Sequence, residues 1–277
     1  MKRIIISKGS IAIVAALALA LGSCQKKERP GFADYPRDSN PPGGPLKFYA
    51  AMNGSTVDSI RATYGEDKNV TFSEGISGQA YKGSASSYIV YPSANDFTQS
   101  GSFSVSFWMK KVPHAANAEF VFSLPTTDNI WHKSEMFMLI EDQNQTTTGL
   151  TATKFMIKDQ WFEFVGTSRI PNLTNGQWHH LVLVYDETTS KLSYYVDGAA
   201  LTGLSSNQTD VRASGQPRGA MTWSHTSKFV IGAPSHVALN ATPDGWMANY
   251  TGELDQFRVY GKALSAAEVT ELFAGKK

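Results

Sequence analysis

The chain has 277 residues, with 25 basic and 24 acidic side chains, six histidines, a single cysteine and 12% aromatic residues. A formal net charge of +1 offers no electrostatic footprint for nucleic acid, and one cysteine excludes an internal disulfide and any multi-cysteine metal or iron–sulfur cluster. Only 18% of the residues are charged, and together with the aromatic content this suits a packed β-domain and argues against disorder.

In chain order, Lys2, Arg3 and Lys8 form a positive head ahead of an apolar run from Ile11 to Leu21. That run is too short to span a bilayer and has the length of a signal-peptide core. It ends in Leu21-Gly22-Ser23-Cys24, which resembles the lipobox of bacterial lipoproteins. The resemblance implies that residues 1–23 are removed and that Cys24 becomes the lipid anchor, with three acyl chains enough for stable membrane attachment. Gln25-Lys26-Lys27-Glu28-Arg29 follows, and then a Pro/Gly-rich stretch to Pro45 with nothing apolar to bury. Residues 24–45 therefore read as an extended tether. The charged residues after the cysteine resemble the export tag of surface lipoproteins in glycan-harvesting bacteria, which implies the exposed side of the outer membrane.

Residues 46–277 read as one β-domain. Phe103, Val105, Phe107 and Met109 alternate with Ser104, Ser106 and Trp108, the period of two that marks a strand. Lys154 to Ile157 and Trp161 to Val165 flank Lys158-Asp159-Gln160 as a hairpin. Leu181 to Tyr185 is a continuous apolar run, as expected for a central strand covered on both faces. Leu192 to Val196 breaks at Asp197-Gly198, a hairpin-turn pair. Phe229 to Gly232 and Leu254 to Tyr260 add two further strands. Helix is expected only at the C-terminus, where Ser265 and Glu268 form a capping box and Leu264 with Val269 a hydrophobic staple. Val269, Leu272 and Phe273 then share one face, which packs onto the sheet. The pattern predicts an all-β sandwich or jelly roll.

Several stretches, in order, resemble the laminin-G-like / concanavalin A-like lectin–glucanase superfamily. They are Phe48 to Gly54, Gly78-Gln79-Ala80-Tyr81-Lys82-Gly83, Ser102 to Trp108 and Gln177-Trp178-His179-His180-Leu181-Val182. Tyr194-Tyr195-Val196-Asp197-Gly198 and Gly252 to Tyr260, running into Ala263-Leu264-Ser265, complete the set. The fold implied is a two-sheet antiparallel jelly-roll sandwich with a short C-terminal helix.

Glu253-Leu254-Asp255 resembles half of the Glu-x-Asp-x-(x)-Glu motif of the superfamily's retaining glucanases, but Phe257 and Arg258 stand where the second glutamate belongs. A retaining glycosidase needs two carboxyl groups about 5–5.5 Å apart, so a non-catalytic domain is expected. If alternation holds, Asp255 shares the core-facing side with Phe257 and Val259, and a carboxylate there must be paired, hydrogen-bonded or metal-bound. The resemblance implies a structural Ca²⁺ near the first and last strands, with Asp255 and Asn53 as candidate oxygen ligands; backbone amides are the alternative partners. Glu141-Asp142-Gln143-Asn144 is a second oxygen-rich loop, faintly similar to the calcium loops of pentraxins. His179 and His180 are adjacent in a strand, point to opposite faces and cannot chelate one metal.

Of six tryptophans, Trp108 and Trp178 fall inside family strands and read as core, and Trp161 fits either a strand face or a hairpin rim. Trp131, Trp223 and Trp246 lie among polar or turn residues. A large ring on a loop either packs locally or is held for stacking. Trp246 with Asn249 and Tyr250, followed by Trp131 and Trp223, are the candidate carbohydrate-binding residues. The functional expectation is a surface-anchored, lectin-like module for a glycan or polysaccharide. The alternatives are a protein-binding adhesion module and, further off, a glycoside hydrolase.

Overall fold

The computed structural model describes residues 43–276, except 115–117, 129–130, 143–148, 224 and 227, and describes only the backbone of Trp131. The signal peptide, Cys24 and nearly all of the tether lie outside these residues.

Strands of three or more residues are numbered in chain order. They are β1 (Leu46–Ala50), β2 (Glu66–Lys68), β3 (Thr71–Glu74), β4 (Gln79–Lys82), β5 (Tyr88–Tyr91), β6 (Phe103–Lys110), β7 (Ala118–Pro125) and β8 (Ser134–Glu141). The remainder are β9 (Leu150–Ile157), β10 (Gln160–Phe164), β11 (Trp178–Asp186), β12 (Lys191–Val196), β13 (Phe229–Ile231), β14 (Met247–Asn249) and β15 (Glu253–Tyr260). Helices are the single turn α1 (Ser206–Thr209), which the sequence pattern did not announce, and α2 (Ala266–Gly275).

Two sheets form the sandwich. Sheet I runs β12-β11-β6-β15-β1, with β4 on β15 and β3 on β4. Sheet II runs β10-β9-β8-β7-β13-β5-β2, and β14 adds to β7 in parallel. Alternate residues of facing strands fill the space between, and the ring pair Phe107–Phe257, stacked at 5.3 Å with nearly parallel planes, bridges β6 and β15. Phe122 of sheet II meets Phe257 edge-on at 5.6 Å. These rings are fully buried, and each contributes about 1.5–3 kcal/mol by leaving water.

Local chemistry sets the corners. Asp197 and Gly198 both take positive φ, 51° and 80°, as the two-residue turn between Val196 and Ala199 requires. The other hairpin is one residue tighter than its sequence suggested, because Ile157 pairs directly with Gln160. At the C-terminus Ser265 Oγ accepts the Glu268 amide at 3.3 Å, and the Ser265 amide donates to Glu268 Oε2 at 2.9 Å. This box starts α2. Leu264 and Val269 then bury against Val182 and Val184 of β11. Gly261 donates its amide to the Pro45 carbonyl at 2.7 Å, so the first and last strands are joined at their outer ends as well as along their length.

The last strand departs from strict alternation. Pairing with β6 slips between Asp255 and Arg258, and Gln256 has φ 51°. This bulge puts Leu254 and Phe257 both in the core. Asp255 therefore does not share the core-facing side with Phe257, which corrects the expectation from period two.

Candidate functional site

The outer face of sheet II carries a second, separate apolar cluster. Phe137 and Leu139 of β8, Met156 of β9, Ala118 and Phe120 of β7 and Met247 of β14 are buried there. They follow from alternation, since Met136, Met138 and Ile140 point into the sandwich and their neighbours must point out. What covers this outward cluster is a pair of partly exposed indoles, Trp161 and Trp246. Trp161 lies edge-on to Phe137 at 5.2 Å, and Trp246 tilts over Phe120 at 5.8 Å. Trp161 lies on β10 and Trp246 just ahead of β14, far apart in sequence, and the parallel pairing of β14 with β7 is what brings Trp246 to the face.

Polar groups fence the rings. Lys154 Nζ lies 3.1 Å from both Glu141 Oε1 and Glu163 Oε1, and 5.9 Å from the centre of the Trp161 ring. Partial burial works to lower the Lys154 pKa, but the two carboxylates outweigh it and hold the ammonium above its ordinary range. On the other side His132 meets Trp246 edge-on at 4.8 Å, with its Nδ1 3.5 Å from Asp244 Oδ2. Burial pushes the His132 imidazole down to about 4, against the pull of Asp244. The result is an apolar floor with ring faces flanked by both donors and acceptors, an arrangement that suits the C–H faces and hydroxyls of a sugar.

The structure distributes the five sequence candidates unevenly. Trp246 belongs to this surface. Asn249 is half-buried on β14 and donates its side-chain amide to the Ser87 carbonyl at 3.3 Å. Tyr250 is a correction: it is fully buried in the main core, burial raises its phenol well above the usual range, and it has no face to offer a ligand. Trp223 is a second one. Its ring packs at the sandwich end on Phe97 and Phe103, at 5.1 and 5.7 Å, and its Nε1 donates to the Ser100 carbonyl at 3.1 Å. It belongs to the main core cluster and not to the Trp246 surface. Trp131 immediately precedes His132 in a short turn, and its side chain lies outside the described residues. Trp161 takes the place that sequence reasoning left open; its signal was alternation with the core residues Phe162 and Phe164.

Asp255 and Asn53 do not fit a calcium ion. Asp255 Oδ2 accepts the amides of Ile76 and Ser77 at 2.8 and 3.1 Å, and Oδ1 accepts that of Gln256 at 2.7 Å. Asn53 Oδ1 accepts the Gln79 amide at 3.1 Å. Both side chains thus spend their oxygens on backbone amides, of the β3–β4 turn and β15 for Asp255 and of the start of β4 for Asn53. Burial raises the Asp255 pKa, and the three amides oppose it. Among the described residues no group of three or more His, Cys, Asp or Glu side chains could hold a metal. In the other oxygen-rich loop Asp142 is buried 3.2 Å from the Lys111 ammonium, and Glu141 faces Lys154; Gln143 and Asn144 lie outside the described residues.

The half motif on β15 separates in the same way. Glu253 faces Lys110 at 3.5 Å, Asp255 is buried, and Arg258 lies over the Tyr49 ring. His179 and His180 point apart as expected: His179 bonds Asp197 and Asn175, while buried His180 lies 2.9 Å from Ser106 Oγ.

A Laminin_G_3 family model, described as concanavalin A-like lectin/glucanases superfamily, matches residues 82–270. The chain belongs to this superfamily. Among solved structures, the lectin/glucanase-type domain is similar to domain 4 of AbnA, a GH43 extracellular arabinanase from Geobacillus stearothermophilus, solved in complex with arabinotriose. The TM-score is 0.54 at 18% identity, covering 82% of this chain and 98% of that one. It is also similar to a botulinum neurotoxin type C structure, whose cell entry is described as dependent on two ganglioside molecules (TM-score 0.55, 12% identity, 84% of this chain). The binding domain of serotype D/C gives a TM-score of 0.55 at 12% identity over 84% of this chain. The chain spans about half the length of the two neurotoxin chains, 51% and 52%. At these identities the likeness is one of fold. No curated protein matches the chain.

Proposed function

We propose that the domain is a lectin-like, non-catalytic carbohydrate-binding module, carried by a lipoprotein anchored through Cys24 on the exposed side of a bacterial outer membrane. The observation that carries the reading is the pair Trp161 and Trp246, half-exposed over one apolar floor and flanked by Lys154, Glu141, Glu163 and Asp244. Rings held on a rigid sheet lose little freedom when a sugar stacks on them, and the charged groups at the rim accept and donate to hydroxyls. Relatives of the same fold described with arabinotriose and with gangliosides lend support. Phe257 and Arg258 stand on β15 where the second glutamate of a glucanase motif belongs, and Asp255 is buried, which favours binding without cleavage.

The test is a glycan array with the soluble domain, repeated with Trp161→Ala and Trp246→Ala. Binding to a neutral glycan lost in both variants supports the reading. Reducing-sugar release abolished by Glu253→Gln overturns its non-catalytic part. Binding to a matrix protein that survives glycan removal replaces it with adhesion. Anchoring has its own assay: Cys24→Ala moves the protein from the membrane to the soluble fraction.

A further inference from the structure

A cavity of about 320 Å³ opens at the Lys110 end of sheet I, at the lower end of the range for ligand clefts. Its wall is a row set by strand register. Glu253 of β15 pairs with Lys82 of β4 on one side and with Lys110 of β6 on the other. Three neighbouring strands therefore present Lys–Glu–Lys side by side, and His114, Val112 and Thr251 are among the other lining residues.

The floor is fixed from beneath. Lys111 is 2% exposed, and its ammonium lies 3.2 Å from Glu119 Oε2 and 3.2 Å from Asp142 Oδ2. Glu119 in turn accepts the Thr251 amide at 2.9 Å and lies 3.1 Å from His114 Nδ1. Burial raises the Asp142 carboxyl against the pull of Lys111. With Lys111 committed inward, the cations left for a ligand are those of the rim. Lys82 is exposed and enters no ion pair among the described residues. Lys110 makes a loose 3.5 Å contact with Glu253 and lies 5.5 Å over the Trp178 ring, and nearly a third of its side chain is exposed.

We infer that this cavity binds an acidic saccharide, with Lys82 and Lys110 taking the carboxylate of a uronic acid and Glu253 accepting ring hydroxyls. Two lysines flanking one glutamate match a ligand that carries an anion and hydroxyl donors together. An acidic peptide has the anions but meets Glu253 as a like charge. Val112, 58% exposed at the rim, offers an apolar surface to a sugar C–H face. The site lies on sheet I and does not use the Trp161–Trp246 surface.

The experiment is calorimetric titration of the intact domain with trigalacturonate and with its methyl ester, which keeps the size and removes the charge. Trigalacturonate binds, high salt weakens it, and the ester binds at least about tenfold more weakly. Lys82→Gln/Lys110→Gln lowers the affinity by at least about tenfold with unchanged thermal unfolding, and Lys82→Arg/Lys110→Arg retains it. Equal affinity for the ester, or for the Gln variant, overturns the inference. So does hexaglutamate binding equally well through the same lysines. Trp161→Ala/Trp246→Ala leaves trigalacturonate binding intact; loss there would move the anion to the other face. Trigalacturonate binding without any neutral-glycan binding sinks only the sheet II reading.

Discussion

The two outer faces of the sandwich solve the same problem differently. On sheet I, Val182 and Val184 are covered by a dedicated element, α2, through Val269, with Leu264 just ahead of it, and Phe273 stacks on Trp108 at 5.6 Å. On sheet II, the outward cluster of Phe120, Phe137, Leu139 and Met156 is covered by Trp161 and Trp246, whose own surfaces stay partly open. A helix seals the surface beneath it with aliphatic and aromatic contacts and leaves none of that covered surface to a ligand. Indoles seal it and still present flat apolar area, so the second face protects the fold and remains usable.

The largest expected effect breaks the sealed face. Val269→Asp puts an unpaired carboxylate under α2 and costs about 4 kcal/mol of unfolding free energy, read by denaturant titration. Acid comes next and acts on both faces. His180 on sheet I and His132 on sheet II are both pushed down to about 4, by burial above all. Unfolded histidine titrates near 6.5, so the fold favours the neutral ring. Stability is full above about pH 6.5 and is lost as the pH falls toward 4, by up to about 3 kcal/mol per histidine. His180→Gln and His132→Gln each flatten that loss in unfolding curves at pH 7 and pH 4.5.

Neutral-glycan binding responds on the open face. Trp246→Ala or Trp161→Ala weakens neutral-glycan affinity by about 2 kcal/mol, roughly thirtyfold, while Val269→Ala leaves affinity unchanged. Lys154→Gln changes stability by about 0.5 kcal/mol or less, because its ion pairs are partly solvated. The smallest expectation is none at all: EDTA leaves thermal unfolding unchanged, since Asp255 and Asn53 already hold backbone amides.

What the sequence made legible was local. Asp197-Gly198, the Ser265–Glu268 box and the alternation of Phe103 to Met109 each act over a few residues, and each appears in the structure as read. The misplaced residues depend on contacts made over long range. Tyr250 sits among polar neighbours in sequence, yet the chain turns inward after β14 and buries it. The bulge at Gln256 reassigns Asp255 from a core-facing row to the β3–β4 turn, a shift that strict alternation conceals. Trp246 was read as a candidate from composition, but its companion Trp161 comes from a hairpin some eighty positions earlier, and only the β14–β7 pairing joins them.

The contact between Gly261 and Pro45 clasps the start of β1 to the end of β15 on sheet I. The chain does not leave there: α2 carries it along the outer face of sheet I to Phe273, which stacks on Trp108 and lies against Gly198, toward the other end of β6 from the Pro45 junction. A truncation after Gly261 would therefore keep that clasp and still strip the cover from Val182 and Val184, so the closing helix is part of the folded unit and not a detachable tail.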